Sequence, residues 1–202
     1  MLTKLDELYL AHHWYLDATD ECYFGGDYTA GRGYAHSATN QLIHNMKKDI
    51  DRRGLPEWRY KERAIRQAAA NLRDYLTPAF LASATFIPVP PSKVTSDPEY
   101  DDRMTQVLQL LGDRVDVREL VAQKESMEKA HTAAIRPGPT ELYNNYEIVQ
   151  SFTDPPPSQV AVVDDLLTTG AHFKAMKRIL TETYPGIQVV GIFIARRVPD
   201  TE

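Results

Sequence analysis

The sequence predicts an α/β protein built on a central, mainly parallel sheet flanked by helices. Three apolar runs support this. Residues 160–163 read VAVV, a run suited to a strand buried on both faces, and they stop at Asp164 and Asp165. Residues 86–89, bounded by Pro88, Pro90 and Pro91, place a first core strand over 84–89, and residues 189–195 form a last strand before Arg196 and Arg197.

The stretch 160–172, VAVVDDLLTTGAH, concentrates the chemistry. Beyond the two acids come Thr168, Thr169 and Gly170, then Phe173, Met176, Leu180 and Tyr184 at helical spacing. Unpaired N–H groups at a helix start favour negative charge, and glycine lets the backbone approach an anion closely, so a phosphate cradle is expected here. Carboxylates repel a phosphate but accept hydrogen bonds from the hydroxyls of a ribose. A ribose 5-phosphate satisfies both halves. The bland alternative is a strand with an ordinary turn, which leaves the desolvation cost of two adjacent acids unexplained.

A chain of 202 residues is long enough to bury a proper core in one domain with a small appended hood. Its 43% hydrophobic and 25% charged residues are ordinary for a globular protein, and a net charge of -5 gives no global signal for nucleic acid. Cys22 is alone, which excludes an internal disulfide, and a reducing cytoplasm is the expected setting. No apolar run approaches the roughly 20 residues that span a bilayer, and the first ten residues do not read as a secretory signal. No membrane partner is expected.

In chain order, Leu5, Leu8, Tyr9, Tyr15 and Leu16 predict an amphipathic helix over 2–19. Gly25, Gly26, Gly31 and Gly33 then predict a loop, whose Tyr23, Phe24, Tyr28 and Tyr34 are available either to pack it down or to line a base-sized pocket. Ser37 caps a second helix carrying Leu42, Ile43, Met46 and Ile50, with Lys47 and Lys48 on its other side. A third follows Pro56, with Trp58, Ile65, Ala69, Leu72 and Leu76 as its apolar stripe. Arg59, Lys61, Arg63, Arg66 and Arg73 make the rest of that helix basic, as either a solvated face or an anion-facing one.

The loop after the first core strand offers Ser92 as a hydroxyl and Lys93 as a cation on a proline-stiffened backbone, suited to a diphosphate at a strand's carboxyl end. Asp97 and Pro98 start another helix, and Arg103 is placed either to reach the diphosphate or to pair with Glu99 or Asp102. Val115, Val117 and Leu120 alternate as a half-buried strand. Residues 123–143 are long, polar and poorly periodic, with Lys124, Lys129, His131 and Arg136 as cations, the pattern of a lid that excludes water from a reactive centre. Residues 144–149 return as an edge strand. The adjacent His12 and His13 do not share a helical face and are expected on the surface rather than on a metal.

The 160–172 run resembles the signature of type I phosphoribosyltransferases, with His172 where a Thr is common. QLIHNMKK (41–48), FIPVPPSK (86–93), DDRM (101–104), the loop ending near Asn144 and the terminal VVGIFIAR narrow the resemblance to the competence-associated ComF-like branch. The cysteine pairs that form an N-terminal zinc ribbon in many of those proteins are missing. Stand-alone members are similar to proteins encoded beside bacterial antiphage systems, including retron-type loci. The resemblance implies an N-terminal helical hood over 1–82 and a phosphoribosyltransferase-like α/β core over 83–202.

It further implies a substrate, 5-phosphoribosyl 1-diphosphate, with Mg²⁺ held largely by ligand oxygens and no protein cage. Asp164 and Asp165 would take the ribose hydroxyls. Thr168, Thr169, Gly170, Ala171 and His172 would take the 5-phosphate, and Ser92, Lys93 and Arg103 the diphosphate. Lys124 and His131 are the lid candidates. The implied activity is transfer of ribose 5-phosphate to a nitrogen nucleophile, a nucleobase or nucleotide. Two other functions stay open: a ligand-sensing or partner-binding module without turnover, and an effector controlled by a nucleic-acid-containing complex through the basic N-terminal helices. A homodimer is compatible with each.

Overall fold

The computed structural model describes residues 1–127 and 137–200. In chain order the elements are β1 (Thr3–Lys4), α1 (Glu7–Leu10), β2 (Cys22–Phe24), β3 (Asp27–Thr29), α2 (Ala38–Met46), α3 (Trp58–Tyr75) and α4 (Pro78–Ser83). They continue with β4 (Thr85–Pro88), α5 (Arg103–Gln109), β5 (Asp116–Val117), β6 (Val121–Gln123), α6 (Pro139–Asn145), β7 (Tyr146–Ile148), β8 (Gln159–Leu167), α7 (Ala171–Thr183) and β9 (Gln188–Val198).

The fold is α/β, with a mixed, mostly parallel sheet flanked by helices. Seven strands run in the order β1-β2-β9-β8-β4-β5, with β3 also on β9, and only the β1–β2 pair is antiparallel. The valines of β8 explain its central place: Val160, Ala161, Val162 and Val163 are all 1% exposed or less. Alternation sends Val160 and Val162 into a core with Phe173, Met176 and Leu180 of α7, and Ala161 and Val163 into a second core with α2, α3 and α5. Side chains of Val, Leu or Phe buried in this way each stabilise the fold by about 1.5–3 kcal/mol.

Local sequence accounts for the helices that hold the second core. The Ser37 hydroxyl accepts from Asn40 N at 3.0 Å and caps α2. On α3, Ala64, Ile65, Ala68, Ala69 and Leu72 recur every three or four residues and are buried. Thr77 caps α4, with Pro78 in its first turn.

Several sequence expectations are corrected. The helix expected over 2–19 is confined to Glu7–Leu10, capped by Asp6, because the following residues are taken up by contacts with the loop after β8. The expected glycine loop contains β2 and β3, three residues each, which draw their order from β9. Its aromatics divide: Phe24 packs edge-on against Tyr9, whereas Tyr34 stays 62% exposed. The helix expected from Asp97 starts at Arg103. The strand β8 does not stop at the acids but runs through them to Leu167. Residues 144–149 finish α6 and then pair as β7 with β6, in a separate two-stranded antiparallel sheet. Among the described residues no helix is long and apolar enough to cross a membrane.

Candidate active site at the carboxyl end of β8

Strand alternation decides the fate of the two acids. Asp165 points into the α2/α3/α5 side, where it is 1% exposed. Its Oδ1 lies 3.0 Å from Lys47 Nζ, at the end of α2, and its Oδ2 accepts from Arg103 Nε and Nη2 at 2.7 Å each. Arg103 also donates to Asp101 Oδ2 at 2.8 Å, and Lys61 donates to the same oxygen at 2.6 Å. Lys61 adds bonds to the Met46 and Lys48 carbonyls at the C-terminal end of α2. These charges form one chain, Lys47–Asp165–Arg103–Asp101–Lys61. Burial alone would raise the Asp165 pKa, but the two cations overcome it and hold the carboxyl well below the usual range.

Asp164 faces the opposite side, toward α7. It shares the wall of a small space with Thr168, Gly170 and His172. Among the described residues it accepts a hydrogen bond from the N–H of Asp165, to Oδ1 at 2.8 Å. Burial first, and the neighbouring Asp165 charge second, push its pKa up to about 7. Near neutrality this carboxyl is therefore poised between accepting and donating a hydrogen bond.

The loop after β8 is shaped from outside. The His13 Nδ1 meets the Thr168 carbonyl, and the Tyr15 N–H donates to the Thr169 carbonyl at 3.0 Å. In a trans peptide the carbonyl and the next N–H point opposite ways, so these two bonds turn the Thr169 and Gly170 N–H groups away from the strap formed by residues 13–16. Gly170 has φ 88°, and a Cβ there would fall 2.5 Å from Leu16 Cγ, so conformation and space both demand glycine. Farther along the strap, buried Asp20 binds Lys174 at 2.8 Å and Lys177 at 2.7 Å, pinning it to α7. The hollow at the loop is half open to solvent and has an interior space of about 10 Å³, room for roughly one water.

The remaining sequence candidates lie as follows. The Thr169 hydroxyl accepts from the Ala171 N–H at 3.3 Å and caps the start of α7. His172 Nδ1 shares a 2.7 Å hydrogen bond with the Tyr146 hydroxyl, and burial lowers its pKa to about 4, with Lys47 adding to the effect. Ser92 and Lys93 follow β4, whose Pro88 is in register with Val163, so they stand at the same sheet edge as the acids. Lys93 lies 3.8 Å from Asp97. Arg103 pairs with Asp101 and Asp165, neither of the acids expected for it. Lys124 extends from β6 to the Asn144 carbonyl at 2.8 Å, tethering α6. His131 lies outside the described residues. Among the described residues no three His, Cys, Asp or Glu side chains gather as a metal site.

Three side chains gain importance that sequence patterning did not give them. His13, expected on the surface, is fully buried. Burial lowers its pKa, so the neutral ring carries its proton on the Nδ1 that faces a carbonyl, and Nε2 has no hydrogen-bond partner among the described residues. Lys61, expected on the basic face of α3, is 1% exposed. Lys47 was visible only as a lysine on the polar side of α2. All three depend on partners more than ten residues away, which helical periodicity cannot register.

No protein-family model matches the chain, and no curated protein matches it. The geometry brings together a glycine turn at the start of α7, a carboxyl of raised pKa beside it, and a buried ion chain fixing the strand from behind.

Proposed function

We propose that this protein is phosphoribosyltransferase-like, with the type I fold and the ComF-like resemblance implied by its motifs. It binds 5-phosphoribosyl 1-diphosphate at the carboxyl end of β8. The observation that carries this is the juxtaposition of Asp164 with the outward N–H groups of Thr169 and Gly170, one suited to sugar hydroxyls and the other to the 5-phosphate. Asp164 takes the ribose hydroxyls. Asp165 acts behind it, its charge committed to Arg103 and Lys47, and so holds the strand end rather than the sugar. Ser92 and Lys93 lie where the diphosphate would be held. Mg²⁺, if bound, would be held largely by the ligand's own oxygens, with Asp164 the nearest carboxyl, and would supply charge neutralisation of the leaving diphosphate.

In the transfer, the bond from the sugar's C1 to the diphosphate oxygen breaks with its electron pair leaving on oxygen. A lone pair on the acceptor nitrogen, from a nucleobase or nucleotide, forms the new bond. The protein's part is positioning and stabilisation of separated charge. Lys124, tied to the Asn144 carbonyl, is the described member of the lid candidates. The interior space of about 10 Å³ is smaller than a pentose phosphate, so the sugar would lie across the open mouth of the hollow or deepen it by moving the 13–16 strap or the His172 ring.

That tightness favours one alternative, a sensing module that binds the diphosphate sugar and does not turn it over. One assay separates them: diphosphate release measured with the sugar, Mg²⁺ and a panel of nitrogen nucleophiles. Release dependent on an acceptor and lost in Asp164→Asn is the expected result. Saturable binding without release establishes the sensor, and no binding of the diphosphate sugar overturns both.

A further inference from the structure

Away from the acid pair, a cavity of about 510 Å³ opens between α2, α3 and the Gly25–Gly26 turn, against Phe193 and Ile194 of β9. The transfer chemistry makes no use of it. Its walls carry two carboxamide pairs, each one turn apart: Gln41 with Asn45 on α2, and Gln67 with Asn71 on α3. Gln67 Nε2 donates to Asn71 Oδ1 at 2.8 Å, which orients both groups and leaves a side-chain carbonyl and an amino group for other partners. Among the described residues that line the cavity there is no carboxylate, and Arg63 is the only charged side chain.

The rim has a different character. Tyr60, also a lining residue, carries Arg59 over its ring at 5.0 Å and Lys48 at 5.9 Å. With Arg63 these put three cations at one end of a neutral, amide-rich hollow. Carboxamides present a donor and an acceptor in one plane, the pattern that matches the edge of a nucleobase. Guanidinium groups match phosphate oxygens, and the volume falls in the range of small-molecule sites. We propose that this cavity binds a nucleotide, with its base against the carboxamide pairs and its phosphate at Arg59, Arg63 and Lys48. The nucleotide is either free or one unit of a strand. The site is distinct from the Asp164 loop and stands independently of the transfer reaction.

Calorimetric titration of the full chain with AMP, GMP, CMP and UMP, and with the matching nucleosides, tests this. At least one mononucleotide is expected to bind saturably, with its nucleoside about tenfold weaker and with affinity falling as salt rises. Gln67→Leu with Asn71→Leu should cost about tenfold and erase the preference among bases, as loss of one or two net hydrogen bonds implies. Arg63→Gln should reduce the nucleotide to nucleoside affinity. Ala38→Trp, at the exposed start of α2, should block the cavity without removing a polar group, and circular dichroism would verify that each variant is folded. Asp164→Asn should leave the titration unchanged. A short single-stranded oligonucleotide that binds more tightly than any mononucleotide identifies a strand as the source, and equal or weaker binding identifies the free nucleotide. Absence of saturable nucleotide binding overturns the proposal. So does a titration abolished by Asp164→Asn and untouched by the cavity variants.

Discussion

The two faces of β8 at its carboxyl end treat adjacent acids in opposite ways. On the α2/α3/α5 side, Asp165 is enclosed by Lys47 and Arg103, and its charge is part of the framework. On the α7 side, Asp164 accepts a backbone N–H and makes no ion pair among the described residues, and burial drives it toward the protonated form. One peptide bond separates a carboxylate held in ion pairs from a carboxyl of raised pKa. Pairing at a strand end therefore cannot be read as shared function, because alternation alone sends the two groups into different chemistry.

Removing charge from each acid in turn should give opposite signs. Asp165→Asn leaves Arg103 and Lys47 facing a neutral amide in a buried setting and should cost about 3–5 kcal/mol in urea unfolding. Equal stability of wild type and variant would mean that the ion chain contributes nothing and that the faces do not differ. Asp164→Asn should stabilise. A carboxyl whose folded pKa is raised contributes stability that is full below its ordinary value near 4 and lost as pH rises through about 7. The gain over wild type should therefore be larger at about pH 8 than at about pH 5, by at least ~1.4 kcal/mol, the worth of one pKa unit. Thermal melts at both pH values check it, and the same variant should lose the diphosphate sugar.

The α7 side carries a second pH-dependent group, His172, whose sign is opposite to that of Asp164. His172 is buried neutral, with its pKa lowered to about 4, so the unfolded chain takes up a proton below about 6.5 that the folded protein refuses. Stability is then lost as pH falls from about 6.5 toward 4. His172→Gln, which retains a partner for the Tyr146 hydroxyl, should flatten that window. An unchanged pH profile would place the acid sensitivity elsewhere, with His13 the next residue to replace.

The parts of the fold legible in the sequence are those set by local rules. Ser37 capping α2, the alanine and leucine stripe of α3, the valines of β8 and the glycine turn into α7 each follow from a few neighbouring residues. The candidate site was legible in outline for the same reason, since Asp164, Thr168, Thr169 and Gly170 lie on one stretch. The missed features are tertiary. Residues 13–20 give up their helical pattern for the Thr168 and Thr169 carbonyls and for Lys174 and Lys177. Strands of three residues such as β2 and β3 are too short to show a period. The split between the acids was implicit in strand alternation, but only once β8 was known to continue beyond them.

Strand β9 accepts β2 along one stretch and β3 along the next, and Arg32 closes the same edge through Asp200 at 2.7 Å. Strands β2 and β3 thus depend on a strand far later in the chain for their order, a long-range closure of the kind that slows folding. A fragment ending before Gln188 should leave residues 22–30 open to protease, and restoring β9 should protect them in a single step.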